Sequence, residues 1–64
     1  MKSYSSREVI AILQKDGWEH VDTRGDHYQF KHPIKKGRVT VPHPKKDLST
    51  DVIKSISLQS GIKF

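Results

Sequence analysis

Residues 24–32, Arg24-Gly25-Asp26-His27-Tyr28-Gln29-Phe30-Lys31-His32, constrain the fold of this chain more than any other stretch. Gly25 signals a turn, because glycine takes positive φ without steric cost. Behind it the chain alternates strictly. His27, Gln29 and Lys31 fall on one face of a strand, and Tyr28, Phe30 and His32 on the other. Aromatic groups on one side and polar groups on the other describe a half-buried strand. His27 then stands at the head of that strand, on its solvent face, beside a glycine turn.

The flanking elements follow from local signals. Residues 5–16 read as a helix opened by the capping box Ser5-Ser6-Arg7-Glu8, with Tyr4 and Val9 placed as a hydrophobic staple. Val9, Ile10, Ile12 and Leu13 form its apolar stripe. Gly17 is placed to stop it in the left-handed conformation, with Trp18 folding back onto Leu13. Residues 18–23 are β-favouring, and residues 38–41, Arg38-Val39-Thr40-Val41, form a third strand closed by Pro42. The segment between Pro42 and Asp47 is irregular, since two prolines flank His43. A second helix begins at the N-cap Ser49, buries Val52, Ile53 and Ile56, and stops at Gly61, with Ile62 returning onto Ile56.

The order is helix, three strands, helix. Short connections make the sheet antiparallel, and both helices must cover its one apolar face. The expected fold is therefore α+β, α-β-β-β-α, like a double-stranded-RNA-binding domain, with residues 1–64 as a single domain. Register follows from keeping apolar sets together. Tyr28 and Phe30 share a face with Val39 and Val41. A tight turn at Arg24-Gly25 pairs Thr23 with Asp26, Asp22 with His27 and Val21 with Tyr28, which keeps Val21 inside. In that register Asp22 is a candidate to orient His27, the alternative being a solvated strand residue.

A chain of 64 residues buries only about 60% of its unfolded surface, so a deep pocket is not expected. There is no cysteine, hence no disulfide, thiolate nucleophile or thiolate metal ligand. No apolar run is long enough to span a bilayer and no signal peptide is legible, so the expected compartment is the cytoplasm and no membrane is implied. Twelve Lys and Arg stand against seven Asp and Glu, a formal charge of +5. Lys31, Lys35, Lys36, Arg38, Lys45 and Lys46 concentrate in the middle of the chain, with His32 and His43 among them. Such a balance favours a polyanionic partner, nucleic acid being the commonest. The bland alternative is a solvated lysine-rich face.

Most site chemistries are excluded by what is missing. His20, His27, His32 and His43 lack metal-motif spacing, and His27 and His32 point to opposite faces, so no metal or other cofactor is expected. No serine has a nucleophile-elbow context, and there is no glycine-rich phosphate loop. What remains is a basic face with one well-placed histidine. RNA carries its own nucleophile, the 2′-hydroxyl. Its cleavage needs a base near neutral pH, which imidazole supplies, and positive charge for the developing phosphorane. Lys31, Arg38 and Lys45 or Lys46 are the candidate cations. On the residues alone, His27 reads first as an ordinary surface strand residue; His43, held between Pro42 and Pro44, is the only other histidine worth testing.

Three motifs then coincide in order. Gly25-Asp26-His27 precedes an aromatic strand; Val39-Thr40-Val41-Pro42-His43 follows; a capped helix ends Gln59-Ser60-Gly61. In this the chain resembles the HicA toxin family over nearly its whole length. The resemblance implies a double-stranded-RNA-binding-like fold acting as an mRNA interferase of a toxin–antitoxin pair. It implies His27 as the catalytic histidine, with Asp26 where the family often has serine, and it implies an antitoxin partner of the HicB type that covers the active face. It maps the family's Val-Pro-His segment onto Val41, Pro42 and His43. The last helix departs from the family's usual Gly-Thr-Leu start and Arg-Ser-Ile continuation, with Thr50-Asp51-Val52 and Lys54-Ser55-Ile56. The RNA-contacting set expected on these grounds is Lys31, Lys35, Lys36, Arg38, His43, Lys45 and Lys46. A module of the same fold that binds RNA without cleaving it is the alternative.

Overall fold

A computed structural model describes residues 3–64. Helix α1 (Ser6–Lys15) is followed by β1 (Glu19–Arg24), β2 (His27–Lys31), β3 (Val39–Pro42) and α2 (Thr50–Ser60). The sheet is antiparallel in the order β1-β2-β3. This is the α-β-β-β-α architecture of the double-stranded-RNA-binding type.

Both helices begin and end on local chemistry. The Ser5 hydroxyl accepts from the Glu8 amide at 3.2 Å, and the Glu8 carboxylate accepts from the Ser5 amide at 3.0 Å. These bonds satisfy two of the donors a helix start leaves open. The Trp18 amide donates to the Leu13 carbonyl across the stop at Gly17, whose φ is +104°. Ser49 caps α2 through the Val52 amide, and Gly61, at φ +74°, ends it in the left-handed region.

One continuous core joins the layers. Val9 and Leu13 from α1 and Ile53 and Ile56 from α2 meet Phe30, Val39 and Val41 from the sheet, with Trp18 and Leu48 closing the ends. Trp18 is buried because β1 starts one residue after it, which frees its side chain from the strand's alternation. Leu58 faces solvent and is 86% exposed. Of the two helices, each makes its main sheet contacts with β3.

The β2–β3 pairing sets Tyr28 opposite Val41 and Phe30 opposite Val39, so all four share the inner face as their patterns demand. The β1–β2 pairing departs from the expected register. The turn is Gly25-Asp26, not Arg24-Gly25, and Arg24 pairs with His27, Thr23 with Tyr28 and Asp22 with Gln29. The reason is turn chemistry. Gly25 has φ +60°, as the first central residue of a two-residue hairpin requires, whereas the expected turn would have forced Arg24 into that conformation. A bulge between His20 and Asp22 then resets the alternation. It turns Val21 outward, 51% exposed, and gives its inner place to His20, which stacks on Tyr28 with ring centroids 4.7 Å apart.

Candidate functional site

His27 opens the central strand. It is flanked by Arg24 on one side and Pro42 on the other, so its backbone is held from both edges. The side chain is exposed, and Nε2 lies 3.3 Å from Oδ1 of Asp26. It borders an open cleft of about 320 Å³ whose other walls include Pro42, Lys45, Leu48 and Ser49. Lys45 and the start of α2 therefore face the histidine across one depression. Asp26 and Asp47 line it as well.

Lys45 is brought there by a residue that sequence reasoning passes over. Ser6 is 1% exposed. Its amide donates to the Lys45 carbonyl at 3.0 Å, its hydroxyl accepts from the Lys45 amide at 2.9 Å, and that hydroxyl also lies 2.7 Å from Nδ1 of His43. The signal for this clamp in the sequence is faint. Two serines stand where one suffices to cap a helix, and the second is free for another task.

The remaining cations separate. Lys31 pairs with Glu19 in the sheet, at the end of β2 away from His27, about 13 Å along a strand. Arg38 donates to Oε1 of Gln29 at 2.8 Å, on the outer face beside it. Lys36 and Lys46 are exposed and form no ion pair with a described residue. Lys35 is engaged. Its ammonium donates to Oδ2 of Asp16 at 2.6 Å and to the Ser60 carbonyl at 3.1 Å, which ties the β2–β3 loop to the ends of both helices.

Asp22 does not face His27, because the pairing that would have joined them is not formed. Its carboxylate accepts from the Arg24 side chain at 3.2 Å and the Thr23 amide at 2.9 Å. Those two bonds, the one to Arg24 first, hold it below the ordinary carboxylate range. His43 follows Pro42, the partner of His27, but does not line the cleft of His27. Its ring meets the edge of Tyr28 on the inner side, 4.8 Å between centroids, while its amide donates to the Asp26 carbonyl at 2.7 Å. His32 belongs to the scaffold. Nδ1 accepts from the amides of Ile34 and Lys35, both at 3.0 Å, which leaves Nε2 to donate to the Asp16 carbonyl at 2.8 Å. Among the described residues no three His, Cys, Asp or Glu side chains converge as a metal site, and no helix is long and apolar enough to cross a membrane.

Fold and surface together define a small basic α+β domain of the double-stranded-RNA-binding type, with an exposed histidine at the head of its central strand. The family model described as HicA toxin of bacterial toxin-antitoxin matches residues 6–62. The chain belongs to the HicA toxin family, and a toxin of such a system implies a cognate antitoxin. No curated protein matches it.

Proposed function

We propose that this toxin is an endoribonuclease that cleaves mRNA without a metal ion, with His27 as general base. The observation that carries the reading is the shared cleft of His27 and Lys45. Imidazole takes the proton of the 2′-hydroxyl. The oxygen attacks the adjacent phosphorus in line, the P–O5′ bond breaks, the departing 5′-oxygen takes up a proton from water, and the products are a 2′,3′-cyclic phosphate and a 5′-hydroxyl end. Lys45 supplies positive charge to the phosphorane, and the start of α2 adds the positive end of its dipole. Lys31, Lys36, Arg38, Lys45 and Lys46 offer phosphate contacts over the exposed surface, in keeping with a net charge of +5.

Neutralisation follows from the same geometry. The cleft borders the exposed His27 side chain and Lys45, so an antitoxin of the HicB type presenting acidic side chains to Lys45 covers it from solvent. Asp26 and Asp47 in the cleft are the features that favour the alternative, an RNA-binding module without catalysis, because they oppose a phosphate beside His27.

One assay separates the two readings. Purified protein and its His27→Ala variant are incubated with labelled mRNA in excess chelator. Cyclic-phosphate fragments with the parent and none with the folded variant are expected. Binding without fragments in the parent leaves the non-catalytic module, and activity that returns only with a divalent ion overturns metal independence.

A further inference from the structure

We infer that the cleft between α1 and the inner face of β1 and β2 is a base-binding subsite for single-stranded RNA, at the far end of a basic track leading to His27. The inference rests on the proposed action on RNA and adds where the strand lies.

The cleft exists because both helices pack chiefly on β3, which leaves the inner face of the sheet thinly covered towards β1. It holds about 280 Å³ and is walled by Arg7 and Gln14 from α1 and by the rings of His20, Tyr28 and His43. His20 and Tyr28 stack nearly parallel, 4.7 Å apart at 17°, and His20 is nevertheless exposed. Its ring is also fixed, since Nε2 lies 2.7 Å from the Thr23 hydroxyl. A flat, anchored, solvent-open ring is what a nucleobase stacks on, and stacking needs no particular base. Polar groups for the base edge and the phosphate stand alongside. Nε2 of His43 has no partner among the described residues, because Ser6 engages only Nδ1. The Gln14 amide and the Arg7 guanidinium are exposed. Packing alone accounts for Tyr28 and Phe30, but not for a cation, an amide and two imidazoles around one small depression.

Three clefts in succession join this site to His27. Arg7 and His43 line both the ring cleft and a second cleft, which also takes in Lys45 and Lys46. Lys45 in turn lines the cleft of His27. A chain stacked on His20 thus passes Arg7, Lys46 and Lys45 before its scissile phosphate reaches His27. Cations beside aromatic rings, in clefts that share lining residues, are the pattern of single-strand binding.

The test measures binding in the full chain carrying His27→Ala, so that the probe, a short fluorescein-labelled single-stranded RNA, stays intact. Adding His20→Ala should weaken binding about tenfold, the loss of one base stack. Adding His20→Phe instead should keep the affinity, since it keeps the ring. Adding Arg7→Gln should weaken binding and flatten its log–log dependence on salt by about 0.7, while His20→Ala leaves that slope unchanged. Unchanged affinity with His20→Ala, equal weakening by His20→Ala and His20→Phe, or no binding of the RNA at all each overturns the subsite. A parent that fails to cleave RNA while binding still depends on the His20 ring overturns catalysis and leaves the subsite in place. A parent that cleaves while His20 and Arg7 leave binding unaltered does the reverse.

Discussion

The ammonium of Lys35 lies 2.6 Å from Oδ2 of Asp16 and joins residues 19 positions apart in the chain. That bond, reinforced by the Trp18 indole N–H, holds the Asp16 carboxyl below its ordinary range. A group with a lowered folded pKa stabilises the fold above its unfolded pKa, and the contribution disappears as pH falls through the folded value. Thermal melts from neutral pH downward should therefore show the parent losing stability below about pH 4, the unfolded aspartate range. Asp16→Asn should flatten that acid limb. An identical limb in the variant would remove the pair from the pH dependence.

Because Lys35 is held by Asp16 and Ser60, its loss should act on stability rather than on RNA. Lys35→Ala should lower the melting temperature and leave the salt slope of RNA binding unchanged. Lys36→Ala and Lys46→Ala should do the opposite, each flattening the slope by about 0.7 if it removes one phosphate contact. Slopes equal to the parent's in all three variants would make the exposed lysines a solvated face.

His32 should prove structural. His32→Ala removes the ring that ties two loop amides to the Asp16 carbonyl; these bonds are solvent-exposed, so the expected cost is about 0.5–1.5 kcal/mol in urea unfolding. Gly17→Ala should be comparably damaging, since a Cβ there would sit 2.8 Å from Nε2 of His32 at a φ of +104°. The folded fraction of His32→Ala should cleave RNA at the parent's rate; a slower rate per folded molecule would give His32 a part in the chemistry.

Ser6→Ala removes the hydroxyl that holds Lys45 while leaving the helix cap at Ser5 intact. The expected outcome is a loss of about 1–3 kcal/mol and slower cleavage by the molecules that remain folded. Undiminished cleavage per folded molecule would mean that Lys45 needs no anchoring or plays no part at His27.

Asp22→Asn should cleave RNA as fast as the parent, because its carboxylate faces Arg24 and Thr23 across from Gln29. A marked loss of rate would restore the orienting role that the register takes away.

Much of this fold is legible in the order of residues because the interactions behind it are local. The capping box at Ser5 and Glu8, the stops at Gly17 and Gly61, the Ser49 cap and the alternation of Tyr28 and Phe30 with Gln29 and Lys31 each act within a turn or two of chain. The β2–β3 register was likewise determined by two apolar pairs that had to share a face. Along β1 a single valine stood against the geometry of a hairpin turn, and the turn prevailed, so Val21 lies outside and Asp22 opposite Gln29. The Ser6–Lys45 clamp, the Lys35–Asp16 pair and the stacking of His20 on Tyr28 were decided only by tertiary structure. Each depends on how helices and loops dock over the sheet. Docking is chosen by the packing of the whole core, for which no short stretch of sequence carries a periodic or capping signal.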